Sequence, residues 1–126
     1  MTVTVGYVLS GLIAAAIVFI GARFLVAPRV AAVGYGVPQD LDVPAARAYL
    51  SVKGIRDIAS GLIVIILMAS SATHLLGWVL LAATVIPLAD AVIVLRNGGT
   101  RAIALGVHGL TAVVMVVTAA LLLLVP

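Results

Sequence analysis

The sequence predicts an all-α fold, a transmembrane four-helix bundle with antiparallel, up-down topology in a single domain, residues 1–126. Three observations predict it. Of the 126 residues, 65% are hydrophobic and only 9% are charged, and mean hydropathy is +1.40, whereas a soluble domain is about half apolar and a quarter charged. A soluble fold this small leaves too much of its surface in water to hide that much apolar area. Four segments come close to or exceed the roughly 20 apolar residues that cross a hydrocarbon core, and two of their three connections are tight, so consecutive spans are antiparallel neighbours.

The first span is read as Val3 to Ala27, closed by Pro28. It has no basic leader and is long enough to span, so it reads as a retained helix and not as a secretory signal. The connection from Pro28 to Pro44 contains Arg29, Asp40, Asp42, prolines and glycines, the composition of an ordered interfacial loop. The second span runs from Ala45 to Ser70 and carries charge only in its first half. The third, His74 to Leu95, ends at Arg96 and the turn signal Asn97-Gly98-Gly99. Within it, Pro87 removes a backbone donor and predicts a kink three residues before Asp90. The fourth runs from Arg101 to Val125.

A weak internal repeat fits two helical hairpins of the same orientation. "KGIRDIASGLIVIIL" from Lys53 and "LGVHGLTAVVMVVTA" from Leu105 align without gaps, pairing Gly54 with Gly106 and Arg56 with His108.

All seven basic residues lie in or near the first and third connections. The positive-inside tendency puts those connections in the cytoplasm and both termini outside, as in a multi-pass protein of a bacterial inner membrane. The net charge of +3 is thereby explained as an orientation signal. No basic run interleaved with aromatics accompanies it, so nucleic acid is not expected as a partner. The chain has no cysteine and two histidines, so no metal site is expected, and no cofactor motif is present.

The most informative stretch is "YLSVKGIRDIASGLIVIILM", Tyr49 to Met68. Lys53, Arg56, Asp57, Ser60, Gly61 and Val64 recur at three- and four-residue steps and are expected on one inward face, with Ile55, Ile58, Leu62, Ile65 and Ile66 toward lipid. At 1.5 Å per residue, Arg56 and Asp57 fall roughly 15 Å along their helix, Asp90 about 8 Å, His108 about 10 Å and Arg23 about 6 Å into theirs. This is one layer in the cytoplasmic half. Lys53, Arg56, Asp57, Asp90 and His108 are therefore the candidate ligand-binding residues, because intramembrane ionisable groups are costly and functional by default. Asp57 is expected to pair with Lys53, leaving Arg56 to reach Asp90 across the bundle. With Arg23 counted, the layer has a surplus positive charge.

The bland alternatives are specific. Arg23 reads as a snorkelling side chain, His74 as interfacial, and His108 with Thr111 as a polar helix contact. Gly6, Ser10, Ala14 and Gly21 form a packing stripe, and the charged group could be a salt-bridge network alone.

"YLSVKGIRDIASGL", "PLADAVIVLRNGG" and "ALGVHGLTAVV" together resemble an uncharacterised family of small bacterial and fungal four-span membrane proteins, the domain-of-unknown-function family numbered 4267. The resemblance implies an integral membrane bundle and brings no established activity.

Three functions compete. The first is a module, either a monomer or a homodimer, that binds or moves a small anionic, amphiphilic or lipophilic ligand at the charged layer. The second is a cofactor-free enzyme of isomerase or cyclase type, with Asp57 and Asp90 as acid and base and His108 as proton shuttle. The third is an accessory subunit of another membrane protein. Orientation bears on all three. A cysteine placed at Thr2 is expected to react with an impermeant thiol reagent from outside and one at Gly98 is not, and the reverse pattern would move the whole charged layer to the other leaflet.

Overall fold

The computed structural model describes residues 1–124 and, among them, contains helices and no strand. The elements are α1 (Thr2–Val26), α2 (Pro28–Tyr35), α3 (Pro44–Ala69), α4 (Thr73–Ala83), α5 (Val85–Arg96), α6 (Arg101–Ile103), a π-helical segment (Ala104–Gly109) and α7 (Leu110–Leu123). The predicted end of the fourth span at Val125 lies outside the described residues.

Three stretches are long and apolar enough to cross a membrane: Thr2–Val26, Thr73–Arg96 and Arg101–Leu123. The second of the four predicted spans forms a helix of 26 residues at nearly the expected bounds. Lys53, Arg56 and Asp57 in its middle set it apart from the other three, and its length does not.

The predicted interfacial loop contains a helix. Ala27, at φ −139°, ψ 58°, breaks α1, and Pro28 opens α2, where its missing N–H and fixed φ cost nothing. Gly36 ends α2 in the left-handed region, φ +99°, with its N–H donating to the Ala32 and Val33 carbonyls. A Cβ at Gly36 would also lie 2.8 Å from Ile103, so the turn needs glycine twice over. Ala31, Ala32 and Leu41 pack with Phe24 and Leu50 in a small core beneath this segment.

The predicted kink is present as an interruption at Thr84, between α4 and α5. Pro87 offers no N–H to the Ala83 carbonyl and its ring pushes that carbonyl aside. The Thr84 hydroxyl donates back to the Leu80 carbonyl at 3.0 Å, a bond that also favours bending.

α1 packs along both α3 and α7, and α4 packs along α7, while α5 rests on the π segment. The α1–α3 contact is backbone on backbone. A Cβ on Gly21 would stand 2.5 Å from the Gly54 carbonyl oxygen, and one on Gly61 would stand 2.9 Å from that of Ala14. Small residues permit this approach, where dispersion and not water exclusion holds membrane helices together. The stripe of Gly6, Ser10, Ala14 and Gly21 is buried as expected. A second core joins Ala14 and Val64 to Leu76, Leu80, Met115, Ala119 and Leu122. Ile55, Leu62, Ile65 and Ile66 are exposed, as expected of a lipid-facing side, whereas Ile58, expected with them, is half-buried beside Gly21 of α1.

The paired glycines of the internal repeat differ in surroundings. Gly54 presses on Gly21, whereas a Cβ on Gly106 would meet open space. This contrast is testable. Gly54→Ala forces α1 and α3 apart, because a backbone oxygen cannot rotate away, and should lower stability in micelles by about 1–3 kcal/mol. Gly106→Ala meets nothing and should be neutral or stabilising by up to about 1 kcal/mol through helix propensity. Equal unfolding midpoints for the two variants would refute the close contact.

Candidate functional site

The polar layer is assembled around a residue from the surface segment. Tyr35, the last residue of α2, donates its hydroxyl to Asp90 Oδ1 on α5 at 2.7 Å. Its carbonyl accepts a hydrogen bond from His108 Nε2 at 2.9 Å, and the two rings meet edge to face at 4.8 Å. His108 Nδ1 lies 3.8 Å from Asp90 Oδ2. On the other side, the Lys53 ammonium sits 5.0 Å from the Tyr35 ring centroid and 5.0 Å from that of Phe24, while it donates to Asp57 Oδ2 at 2.9 Å. α3 and α5 do not pack along each other, and the Tyr35 ring bridges them.

Local irregularities aim these side chains. The π segment, in which the Leu110 N–H bonds to Leu105, holds His108 buried against Tyr35, the kind of local widening that recurs at functional positions. Asp90 lies in the first turns after the Thr84 interruption.

Four of the five predicted site residues meet in this layer: Lys53, Asp57, Asp90 and His108. Arg56 does not. It is exposed, and the predicted Arg56–Asp90 pair is replaced by Tyr35 and His108 on Asp90. The reason is angular: Arg56 lies about 100° around the helix from Asp57, and the buried face is centred on Leu50, Gly54, Asp57, Gly61 and Val64. Arg23 also stays out, placing its guanidinium 5.9 Å from the Phe19 ring centroid. Thr111 is exposed, and its hydroxyl donates back to the Val107 carbonyl. With Gly54 level with Gly21 and α1 ending at Val26, Lys53 lies about 6 Å and Arg56 about 10 Å inside the end of α1.

The electrostatic balance changes with membership. Without Arg23 and Arg56, one ammonium faces two carboxylates, and the expected positive surplus is gone. The Tyr35 carbonyl only accepts, so His108 carries hydrogen on Nε2, and a second proton on Nδ1 would make its approach to Asp90 attractive and bring the layer to neutrality. Burial pushes the Tyr35 phenol well above its ordinary value, aided by its bond to Asp90 and by the charges of Asp90 and Asp57. It remains a neutral donor.

Among the described residues, every buried side-chain nitrogen and oxygen has a hydrogen-bond partner. Two grooves lie elsewhere: one of about 540 Å³ lined by Leu41, Asp42, Pro44, Arg47, Ala48 and Ser51, and an apolar one of about 250 Å³ beside the helix interruption at Thr84, reaching Gly109 and Val116. The layer is partly open to its surroundings, with 27% of the Lys53 side chain and 19% of that of Asp90 exposed.

Tyr35 and Phe24 are the members that the sequence reading missed. The available signal was the Gly34-Tyr35-Gly36 triplet in a chain with only 5% aromatic residues, placed where interfacial aromatics collect.

Among the described residues the fold is all helical, with three helices fit to cross a bilayer and a polar layer at one end, which defines a class of small membrane protein. The chain belongs to the family described as Domain of unknown function (DUF4267), whose model matches residues 14–122. No curated protein and no solved structure matches it.

Tyr35→Phe deletes one bond to a charged acceptor and should cost about 1.5–3 kcal/mol of stability in micelles. The pH dependence follows from the raised phenol. Its contribution is complete below the ordinary tyrosine value near 10 and is lost as pH rises through the higher folded value. Wild type should therefore lose stability above about pH 10 by an increment absent in Tyr35→Phe, and parallel alkaline unfolding curves would refute the buried bond.

Proposed function

We propose that this is a four-span membrane protein, with α3 as the fourth span, that binds a small amphiphilic ligand at the Lys53, Asp57, Asp90 and His108 layer on the cytoplasmic side. The α2 segment acts as its gate. The observation that carries this reading is the source of the central residue. A salt-bridge network serving only to fix α3 to α5 needs side chains from those helices alone, whereas this one is completed by Tyr35 from a short surface helix bounded by Ala27 and by Gly36 at φ +99°. Withdrawal of α2 would uncover both carboxylates, the imidazole and the ammonium together. The seven basic residues support placing this end in the cytoplasm. With Arg56 and Arg23 outside the layer, its charge no longer favours an anion.

The accessory-subunit reading is favoured by one observation, the internal satisfaction of every buried polar side chain among the described residues. Hydrogen exchange and native mass spectrometry in gentle detergent separate the two. A gate predicts amides of Val30 to Gly36 that exchange much faster than those of the α1 interior, and a small molecule carried by wild type but lost from Asp57→Asn that still elutes as folded protein. Protection of α2 equal to that of α1, with no molecule carried, would leave the layer as a structural latch.

A further inference from the structure

Of the seven basic residues, six are arginine, and the single lysine is the one enclosed by the layer. Its ammonium is held by three groups at once: Asp57 Oδ2 at 2.9 Å, and the Phe24 and Tyr35 rings, each 5.0 Å from Nζ. The two rings stand 6.2 Å apart at 73° to one another, so they present two differently oriented surfaces to one compact charge. Aromatic faces joined by a carboxylate are the recognition chemistry of an ammonium ion. Lysine brings to this corner a compact point charge on a flexible stem. Only 27% of the Lys53 side chain is exposed.

We propose that Phe24, Tyr35 and Asp57 form an ammonium-binding site, occupied in this structure by the chain's own Lys53, and that the ligand is a lipophilic primary ammonium that takes the place of Lys53. The inference rests on the binding reading above and names its ligand class. Lys53 is tethered, so a competitor meets a high effective concentration of the internal occupant. A free small amine does not overcome that, and an amphiphile with an apolar tail in the bilayer does. A displaced Lys53 has somewhere to go, since its backbone lies about 6 Å inside the end of α1 and its side chain can snorkel to the headgroups. Tyr35 belongs both to the cage and to the gate, so opening α2 removes one wall of the site and loosens Lys53 in the same movement.

The test empties the cage. Lys53→Ala, purified as the full chain in maltoside micelles, should unfold at a lower temperature than wild type. n-Butylammonium should raise that temperature saturably by several degrees, whereas n-butanol and butyrate at equal concentration should not. Wild type and Lys53→Ala/Asp57→Asn should not respond. An equal response to n-butanol would mean simple cavity filling and would overturn the proposal, as would no response in a Lys53→Ala protein that elutes as a single species with wild-type helicity.

If Lys53→Ala fails to fold, wild type still decides. Reductive methylation of Lys53 should be about tenfold slower in the native micelle than after unfolding in dodecyl sulfate, because the amine must first leave a charge-assisted bond and two ring faces. Phe24→Leu should recover much of that rate, and equal rates in native and unfolded wild type would overturn the cage. A ligand recovered by native mass spectrometry that proves to be an anion would overturn the ammonium assignment and leave the binding reading standing. Rescue of Lys53→Ala with no ligand ever recovered would uphold the cage and sink the reading on which its physiological occupant depends.

Discussion

The bond from the Tyr35 hydroxyl to Asp90 is the interaction on which the polar end of this protein depends. α3 and α5 do not pack along each other, so without the phenol the half-buried Asp90 carboxylate would face a gap. Tyr35 fills that gap with a ring, caps Asp90 with a donor, offers its carbonyl to His108 and its face to Lys53. A buried charge without a partner is strongly destabilising, whereas a fully paired one is close to neutral. One residue from a surface helix turns the first situation into the second. Its own burial keeps it neutral, and a charged phenolate there would face two carboxylates.

The glycine contact between α1 and α3 is the complementary constraint. Gly21 against Gly54 and Ala14 against Gly61 bring these helices to backbone distance, which fixes how far α3 sits into the assembly and which of its faces is buried. Asp57 lies in the middle of that face, Lys53 beside it and Arg56 at its edge. The fate of each charge on α3 therefore follows from where the glycines press. The π segment does similar work for His108.

The four long helical stretches, the proline interruption and the packing stripe were legible in the sequence because each rests on a local property: an apolar run, a missing N–H or a small side chain at a regular step. The Lys53–Asp57 pair was legible for the same reason, being one turn apart on one helix. What was not legible depended on contacts distant in sequence. Tyr35 lies 55 residues from Asp90 and 73 from the histidine it contacts, and nothing in the Pro28–Pro44 composition distinguishes an inserted aromatic from an interfacial one. Arg56 was misplaced because a stripe taken at three- and four-residue steps is wide enough to include the flank, and only the position of α1 decides which edge is buried. Removing Arg56 and Arg23 from the layer then reversed the sign of its charge balance.

Depth explains how α3 tolerates what the other long helices avoid. A charge at the centre of a membrane helix costs roughly 2.5–3.5 kcal/mol on insertion scales and much less toward the interface. The register set by Gly21 and Gly54 puts Lys53 about 6 Å and Arg56 about 10 Å inside the end of α1, so the first turns of α3 stand at the surface beside α2. Within that outer zone Lys53 and Asp57 cancel at 2.9 Å, and the exposed Arg56 has the reach to extend toward the headgroups. The helix from Lys53 to Ala69 measures about 25 Å, close to the hydrocarbon thickness. As the fourth span proposed above, α3 would cross as a partner of α1 and α2 and not through its own hydropathy. Of the charges that weaken it as an isolated span, Lys53 rests against the Tyr35 ring, which couples the position of α2 to the seating of α3.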